Sequence, residues 1–596
     1  MTSPSARSWL GPSGGLRLAL AVVVVGLGAG LGAIVFRYLI VGVTRLVTGE
    51  DDYAATPGAP WYWWPAVGTW FLVAAPVVGG LLYGPLVYRW AREARGHGVP
   101  EVMLAVAEND GRIRPRVAVV KSLASALCIG TGGSVGREGP IVQIGSAIGS
   151  SLGGWLRVPA SRLRLLVACG AAGGISATFN APIAGVFFAL EIILTDFTLL
   201  SFLVVTASSA IANTVARAAD GPGAFLALPP FRVDSTWEYL LYAAIGLAGA
   251  LVGVAFTKVL YGAEDLADRI WRGPEWLRPA VGGVLLGLLL VVLPQMYGVG
   301  YPVLREGVAG GYAVGFLLVL LVGKLVATSL TLAIGGSGGI FAPSLFLGAM
   351  TGTALGDGFG LLGAPGPAGA YGLVGMAAVL AGATRAPITA VVIVAEITGE
   401  WDLVVPLMIA VVVATAVSRA LSPETIYTLK LTRRGIHLHP PGTPRWARRT
   451  AGDAVPTAGP DGLDGSARPF GPVRWAPVLD ADRPLGAALD DLTTDLASRD
   501  GGAAGLPVLA PDGRRLLGVL RPDHVVSGTS AAPGGDDPDG RCVVELLRTP
   551  PSGWAPPDGF RALDGSDRLL VGPRAGLDGL VASLRVEDVA RDPGDM

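Results

Sequence analysis

The chain has 596 residues, of which 51% are hydrophobic and only 15% are charged, and its formal net charge is −1. Its mean hydropathy of +0.55 excludes an ordinary soluble protein, and the near-neutral charge argues against a nucleic-acid partner. The three cysteines, at positions 128, 169 and 542, have no metal-ligand spacing and give no disulfide framework. A chain of this length is too long for one ordinary domain.

Apolar segments long enough to span a bilayer recur from Leu16 to Leu421. We count about a dozen, several of them short or interrupted by glycine and proline. The first follows Arg7 and Arg17 and has no obvious small-residue cleavage site, so we expect a membrane helix rather than a removed signal. Arginines cluster in 89–116 and again in 433–449, which the positive-inside rule places in the cytoplasm. We therefore expect a multi-pass protein of the cell membrane with both termini cytoplasmic.

Two stretches of the chain are nearly the same. Residues 121–140 and 324–343 share eight of twenty residues at an offset of 203. Further along, residues 181–192 resemble residues 386–397 at an offset of 205, and both copies contain the sequence Ala-Pro-Ile. Two apolar halves, each with a glycine-rich break inside a membrane-length segment, are typical of a transporter built from internal repeats.

Three breaks have the form glycine, three residues, proline, and then an apolar helix. They are GHGVP at 96–100, GREGP at 136–140 and GIFAP at 339–343. Such loops at membrane depth must be buried in protein or line a polar cavity, because lipid cannot satisfy their N–H groups. A helix N-terminus carries about half a positive charge and several unpaired N–H donors. Three converging ends would form an anion site; the alternative is a set of tight turns between packed helices.

These motifs resemble those of the CLC family of chloride channels and anion/proton exchangers, and the resemblance covers about 15–432. It implies that residues 1–445 form an all-α polytopic membrane domain, an inverted repeat with broken helices. It also implies a homodimer in which each subunit has its own pathway and helix N-termini point at a central chloride ion. The anion-binding residues that it implies are His97, Gly98, Arg137, Gly139, Ile340, Phe341, Ala342 and Tyr427.

Glu138 is the residue of greatest functional interest. Its repeat mate is Phe341, so the fold does not require a carboxylate at this place. A buried carboxylate is costly and favours its neutral form, and beside an anion site it would compete with chloride when ionised and leave when protonated. The resemblance implies that Glu138 is this gate, linking anion movement to protons or voltage. The alternative is a glutamate that only complements the helix dipole.

Two residues depart from the pattern of the family. His97 stands where a serine hydroxyl usually contacts the central anion; its ring N–H could serve, or its backbone N–H could suffice with the ring turned away. Ile192 stands where many exchangers carry a proton-relay glutamate and where channels have an apolar residue. Both a proton-independent channel and a Cl⁻/H⁺ antiporter therefore remain open, with chloride the expected anion. Tyr427 matches the anion-binding tyrosine of the family, the alternative being an interfacial tyrosine.

Charged residues that occur in both repeats favour a structural role. Glu191 and Glu396 are expected to accept hydrogen bonds from backbone at a helix contact, and Lys121 and Lys324 to cap buried carbonyl groups. Each pair sits at matching positions of the two copies, whereas a residue that binds substrate has no need of a mate.

Two other classes of function compete with transport. An intramembrane hydrolase would use Ser337 as nucleophile and needs a histidine base, yet only His97 of the four histidines lies near the membrane core, and Ser337 has a repeat mate in Ser134. A scaffold that signals through the tail would have no use for Glu138. We therefore expect a transporter rather than an enzyme.

Residues 446–596 lose the apolar segments and are predicted to be a soluble cytoplasmic domain. A strand at 505–509, an Asp-Gly turn and a second strand at 516–520 are followed by a helix signal. This pattern resembles a small α/β CBS module, with a degenerate second copy near 564–589. The Ser or Thr that usually precedes the nucleotide-binding Asp is replaced around Asp523 by Arg521 and Pro522, so we expect no bound nucleotide and no other cofactor.

Overall fold

The structure, a computed structural model, describes residues 12–436, except 222, 227, 229, 232, 234, 364 and 365, and six strands beyond them. It divides into two compact units, residues 1–441 and 442–596. The boundary expected at 445/446 lies outside the described residues, close to this division. The described part of the first unit is helical, and each unit is described by itself below.

The helices of the first half of the membrane unit end before residue 221. A π-helical turn, Ala189–Leu194, continues α7, and short 3₁₀ turns occur at Tyr53–Ala55, Pro65–Val67 and Arg92–Ala94. The helices are α1 (Pro12–Thr48), α2 (Phe71–Trp90), α3 (Val99–Glu108), α4 (Pro115–Gly130), α5 (Glu138–Trp155), α6 (Ala160–Phe179), α7 (Pro182–Phe188) and α8 (Leu199–Asp220).

The second half repeats this order, with 3₁₀ turns at Pro294–Met296 and Trp401–Leu403. A short last helix, α17 (Thr428–Thr432), has no counterpart in the described part of the first half. The other helices are α9 (Glu238–Ile270), α10 (Arg278–Val292), α11 (Tyr301–Val308), α12 (Val314–Ala333), α13 (Phe341–Leu361), α14 (Ala368–Thr384), α15 (Pro387–Thr398) and α16 (Val404–Leu421).

Within residues 12–436, six helices are long and apolar enough to cross a membrane: α1, α2, α8, α9, α12 and the helix ending at Leu421. Shorter apolar helices, α10, α14 and α15 among them, stand between them. The expected run of about a dozen apolar segments, some of them broken, is therefore resolved into long and short helices. The protein is a mostly helical, multi-pass membrane protein.

Reciprocal backbone hydrogen bonds join the two halves at their centre. The N–H of Gly136 donates to the carbonyl of Gly339 at 2.7 Å, and the N–H of Gly339 donates back to the carbonyl of Gly136. The two glycines are repeat mates at the offset of 203. A pair of mates that exchanges both bonds in an antiparallel bridge is what a local twofold axis between the halves produces.

The paired glutamates repeat this twofold relation. Glu191 accepts from the backbone N–H groups of Ile388 at 3.2 Å and Thr389 at 2.9 Å, in the first turn of α15. Glu396 accepts from the mates of these two groups, residues 183 and 184 in the first turn of α7, at 3.0 and 2.7 Å. Each carboxylate satisfies N–H groups that a helix start leaves unpaired. The structural role predicted for this pair is confirmed.

Glycines allow the helices of each half to pack closely. A Cβ added to Gly145 of α5 would lie 2.1 Å from the carbonyl oxygen of Gly170 in α6, and one added to Gly348 of α13 would lie 2.2 Å from that of Gly375 in α14. Small residues permit such backbone approach between membrane helices. The same contact occurs in both halves, so the high glycine content is a requirement of the repeat.

The second unit contains two three-stranded sheets among its described residues. The second and third strands pair antiparallel, with Leu506 opposite Leu520, so the two strands of the predicted hairpin are confirmed. The helices of the proposed CBS module lie outside the described residues, as does most of its second copy. The strands are β1 (Leu479–Asp480), β2 (Leu506–Leu509), β3 (Leu516–Leu520), β4 (Arg541–Glu545), β5 (Arg561–Ala562) and β6 (Leu569–Pro573).

Candidate functional site

The three glycine-proline breaks meet at the centre of the membrane unit. Gly96 pairs with the Ser337 loop through an N–H to the carbonyl of residue 336 at 3.0 Å and a bond back from residue 338 at 3.3 Å. A Cβ added to Gly139 would lie 1.9 Å from the carbonyl oxygen of His97 and 3.2 Å from Cα of Gly339. Glycine is needed here for close approach. Helices α3, α5 and α13 therefore begin within a few ångströms of one another.

The first turns of these helices supply the backbone N–H groups of the site. Gly98 and Arg137 directly precede α3 and α5, and Ile340 directly precedes α13, which begins with Phe341 and Ala342. Gly139 lies in the first turn of α5. Unpaired N–H groups and the positive ends of the helix dipoles make such a place favourable for an anion. The predicted backbone ligands are thus brought together.

The carboxylate of Glu138 lies at this place. The residue is 1% exposed, and its Oε2 has no hydrogen-bond partner among the described residues. A Cβ added to Gly136 would lie 1.9 Å from this oxygen, and one added to Gly339 would lie 2.7 Å from it. The side chain is therefore folded back over the glycine pair, next to the start of α13. A carboxylate in this position is the protein's own anion at the helix ends.

One ring nitrogen of His97 is hydrogen-bonded. Its Nε2 lies 3.2 Å from the hydroxyl of Tyr261, which itself donates to the carbonyl of Ile426 at 2.6 Å. Because that hydroxyl has one proton, Nε2–H of His97 is the donor to Tyr261. The buried Nδ1 has no partner in the described part of the chain. A neutral His97 ring therefore has no N–H left for an anion, and it offers one only after protonation at Nδ1.

Tyr427 lies against His97. It is 2% exposed, and the centroid of its ring is 5.9 Å from that of His97. Its neighbour Ile426 is fixed by an N–H donated to the carbonyl of Ala383 at 2.9 Å and by the bond from Tyr261. Such burial argues against an interfacial tyrosine. His97 and Tyr427 together stand on the α17 side of the site.

Arg137 faces a different space. Its Nη2 donates to the carbonyl of Thr178 at 3.1 Å, and its guanidinium lies 5.1 Å from the ring centroid of Phe225 and 5.5 Å from that of Tyr301. It lines a cavity of about 1250 Å³ together with Asp52, just beyond the end of α1. Arginines at 37, 217 and 305 and a glutamate at 306 line the same cavity, so its lining has four arginines and two carboxylates. A cavity with several arginines raises the local concentration of anions.

The paired lysines hold loops. Lys121 donates through Nζ to the carbonyls of Ala94 at 2.9 Å and Gly96 at 2.7 Å. Lys324 donates to the carbonyls of Gly298 at 3.2 Å and Val299 at 2.9 Å. It also donates to the hydroxyl of Ser134 at 2.9 Å. The prediction that they cap buried carbonyl groups is confirmed.

A fourth glycine-proline break is not among the three predicted from the sequence. Residues 298–302 read GVGYP, the same G-x-G-x-P form as GHGVP at an offset of 202. The glycines of both loops have positive φ, 76° and 80° at Gly96 and Gly98 and 62° and 90° at Gly298 and Gly300. Its last residues start α11, and Tyr301 donates its hydroxyl to Glu138 Oε1 at 2.9 Å. The repeat offset was the signal that could have found it.

Two further residues are placed by the structure. Ser337 donates its hydroxyl to the carbonyl of Ala94 at 2.7 Å and shares a hydrogen bond with Ser125 at 2.9 Å. It has no histidine partner in the described residues, so the hydrolase alternative is not favoured. Ile192 is 6% exposed and lies in the π-helical turn, packed toward α3. The position predicted to match the relay glutamate of many exchangers is thus apolar and buried.

The chain is similar to known proteins over this unit. A family model described as voltage gated chloride channel matches residues 79–419. The H(+)/Cl(-) exchange transporter ClcA of Vibrio parahaemolyticus is 36% identical over 361 residues, 58% of this chain and 76% of that protein. The voltage-gated ClC-type chloride channel ClcB of Citrobacter koseri is 31% identical over 420 residues, which cover 69% of this chain and 98% of that protein. A slow cyanobacterial Cl-/H+ antiporter matches with a TM-score of 0.64 and 25% identity, over 70% of this chain and 98% of that one.

Proposed function

We propose that this chain, which belongs to the voltage-gated chloride channel family, carries chloride across the membrane through a pathway gated by Glu138. Chloride transport, as a channel or as a H⁺/Cl⁻ exchanger, is the activity of the relatives. The observation that carries the proposal is the position of the Glu138 carboxylate over the Gly136–Gly339 pair, at the start of α13. An ionised side chain there excludes chloride from the helix ends.

The proposed pathway runs from the arginine-lined cavity past Glu138 to the side of His97 and Tyr427. When Glu138 is protonated and moves away, backbone N–H groups of the first turns of α5 and α13 take over the solvation of the ion. The ammonium groups of Lys121 and Lys324 already donate to backbone carbonyl groups and, in Lys324, to the hydroxyl of Ser134, so the donors left for the ion are backbone N–H groups. Partial charges bind an anion strongly enough to admit it and weakly enough to release it.

The gate serves either of two modes of transport. In a channel, protonation or voltage opens the path and chloride flows alone. In an exchanger, the proton that releases Glu138 continues to the other side, which requires a relay that Ile192 does not supply. The reversal potential under crossed chloride and pH gradients separates the modes. A potential that follows chloride alone identifies a channel, and one displaced by the proton gradient identifies an exchanger.

The gate is tested by Glu138→Gln, which mimics the protonated side chain. Chloride flux in proteoliposomes should persist, lose most of its dependence on pH, and carry no protons. His97→Ser is the matched control, because the His97 ring is the rival pH sensor. If Glu138→Gln keeps the wild-type pH profile while His97→Ser flattens it, the gate is His97 and the assignment to Glu138 is wrong.

The remaining parts of the proposal rest on the resemblance. We infer a homodimer in the cell membrane with both termini in the cytoplasm, a CBS-like tail, and a transporter rather than an enzyme. Cross-linking in mild detergent should give dimers, and a purely monomeric protein would remove this part of the proposal.

A further inference from the structure

The loop at 298–302, the repeat mate of the His97 loop, contacts Glu138 through Tyr301. Tyr301, two residues after Val299, is the first residue of α11 and lines the arginine-rich cavity. Its hydroxyl donates to Glu138 Oε1 at 2.9 Å. Both G-x-G-x-P loops thus lie near Glu138, but Tyr301 lines the arginine-rich cavity, whereas His97 and Tyr427 are not among the described residues that line it.

The ring of Tyr301 has a fixed orientation. It packs edge-on against Phe225 at 4.8 Å between centroids, with Phe179 at 6.5 Å. The guanidinium of Arg137 lies over the rings of both Tyr301 and Phe225. Because these contacts hold the ring, the hydroxyl points at Glu138 without having to be ordered when the side chain arrives.

We propose that Tyr301 is a positioning residue for the gate, a latch whose hydroxyl holds the ionised Glu138 side chain in the pathway. The proposal rests on the proposed function, in which Glu138 is the gate. The titratable groups of other elements that act on this carboxylate are Tyr301 of α11, Lys324 of α12 and Tyr427, and the backbone N–H of Ala342 in α13 also faces it. Arg137 adjoins it in the chain. Among these four side chains, a direct hydrogen bond to Glu138 comes from Tyr301.

The latch acts on one protonation state of the gate. A hydroxyl binds an ionised carboxylate more strongly than a neutral one, so the bond opposes both protonation and displacement by chloride. Removing it should move the opening of the gate to higher pH. A hydrogen bond to a charged group changes an equilibrium constant, here that of Glu138 protonation, by about tenfold or more. This corresponds to a shift of about 1 pH unit in the opening of the gate.

The test compares Tyr301→Phe with wild type in proteoliposomes between pH 4 and pH 8. Phenylalanine keeps the ring and its packing, so the half-maximal pH of chloride flux should rise by about 1 unit. Tyr312→Phe is the matched control, because Tyr312 lines the same cavity but packs on Phe316. That variant should keep the wild-type profile. A Tyr301→Phe profile that coincides with wild type overturns the latch.

A second measurement does not depend on transport. At pH 7 the purified Tyr301→Phe protein should bind chloride about tenfold more tightly in calorimetry, since the unlatched carboxylate competes less well. In a Glu138→Gln background the same change should alter neither affinity nor pH profile. If Tyr301→Phe has the same effect in the wild-type and Glu138→Gln backgrounds, Tyr301 has a merely structural role. If Glu138→Gln alone keeps the wild-type pH profile, the gate assignment fails, whereas a flat Glu138→Gln with an unshifted Tyr301→Phe overturns the latch alone.

Discussion

Replacing Gly139 by alanine tests whether the helix starts must meet for transport. The new Cβ would lie 1.9 Å from the carbonyl oxygen of His97, whereas real Cβ atoms do not approach other atoms within 3.0 Å. The His97 loop or the first turn of α5 must therefore move by at least about 1.1 Å. Overpacking of this kind costs about 1–3 kcal/mol of stability, and a displacement of about 1 Å at a reacting centre costs about 10²-fold in rate.

The assay is chloride efflux from proteoliposomes, normalised to monodisperse protein. Gly154→Ala is the matched control, since Gly154 lies on the same helix and a Cβ there meets no atom within 4 Å. We expect Gly154→Ala to transport like wild type and to gain up to about 1 kcal/mol of stability. Gly139→Ala should lose about 10²-fold in flux. Wild-type flux in a folded Gly139→Ala protein would refute the idea that the loops must touch.

Three further outcomes follow from the structure. Crystals of Glu138→Gln soaked in bromide should show an anomalous peak among the first-turn N–H groups of α5 and α13, and a peak only elsewhere in the unit would refute the site. A chain truncated after Arg449 should keep chloride flux, and loss of flux from a well-folded truncation would make the tail part of the mechanism. Glu191→Ala should lower the free energy of unfolding more than Glu396→Ala, by about 1 kcal/mol, because Glu191 also accepts the Thr389 hydroxyl at 2.7 Å. If thermal unfolding shows the same loss of stability in Glu191→Ala and Glu396→Ala, the bond from the Thr389 hydroxyl makes no net contribution to stability.

The repeat carried most of what the sequence could predict about the fold. Matching positions in two copies identified two of the three glycine breaks, the glutamate pair and the lysine pair, and each pair makes matching hydrogen bonds in the structure. Matching contacts of repeat mates can be predicted without knowing the tertiary structure, because a twofold axis gives equivalent residues equivalent neighbours. The same logic predicts Gly298 and Gly300 from Gly96 and Gly98 at an offset of 202.

Other features of the site could not be predicted in this way. The bond from Tyr261 to the His97 ring joins residues 164 positions apart, on elements that are not repeat mates. It decides which ring nitrogen is free, and no local pattern encodes it. The contact between Tyr301 and Glu138 is likewise a long-range one, over 163 positions. Hydropathy predicted that these segments are buried, but not which polar atoms meet.

The comparison of the two repeats separates scaffold from function. Where the copies agree, as at Lys121 and Lys324, the side chain satisfies backbone groups that both halves expose. At three positions around the site the copies differ, and a polar side chain in one copy has an apolar mate in the other. Glu138 is opposite Phe341 in this comparison, while His97 corresponds to Val299 and Tyr301 to Val99. A perfectly symmetric pathway would bind an anion equally from both sides. Under the proposed function, Tyr301 of one G-x-G-x-P loop and the titratable ring of His97 in the other give the Glu138 gate chemically different neighbours in the two halves.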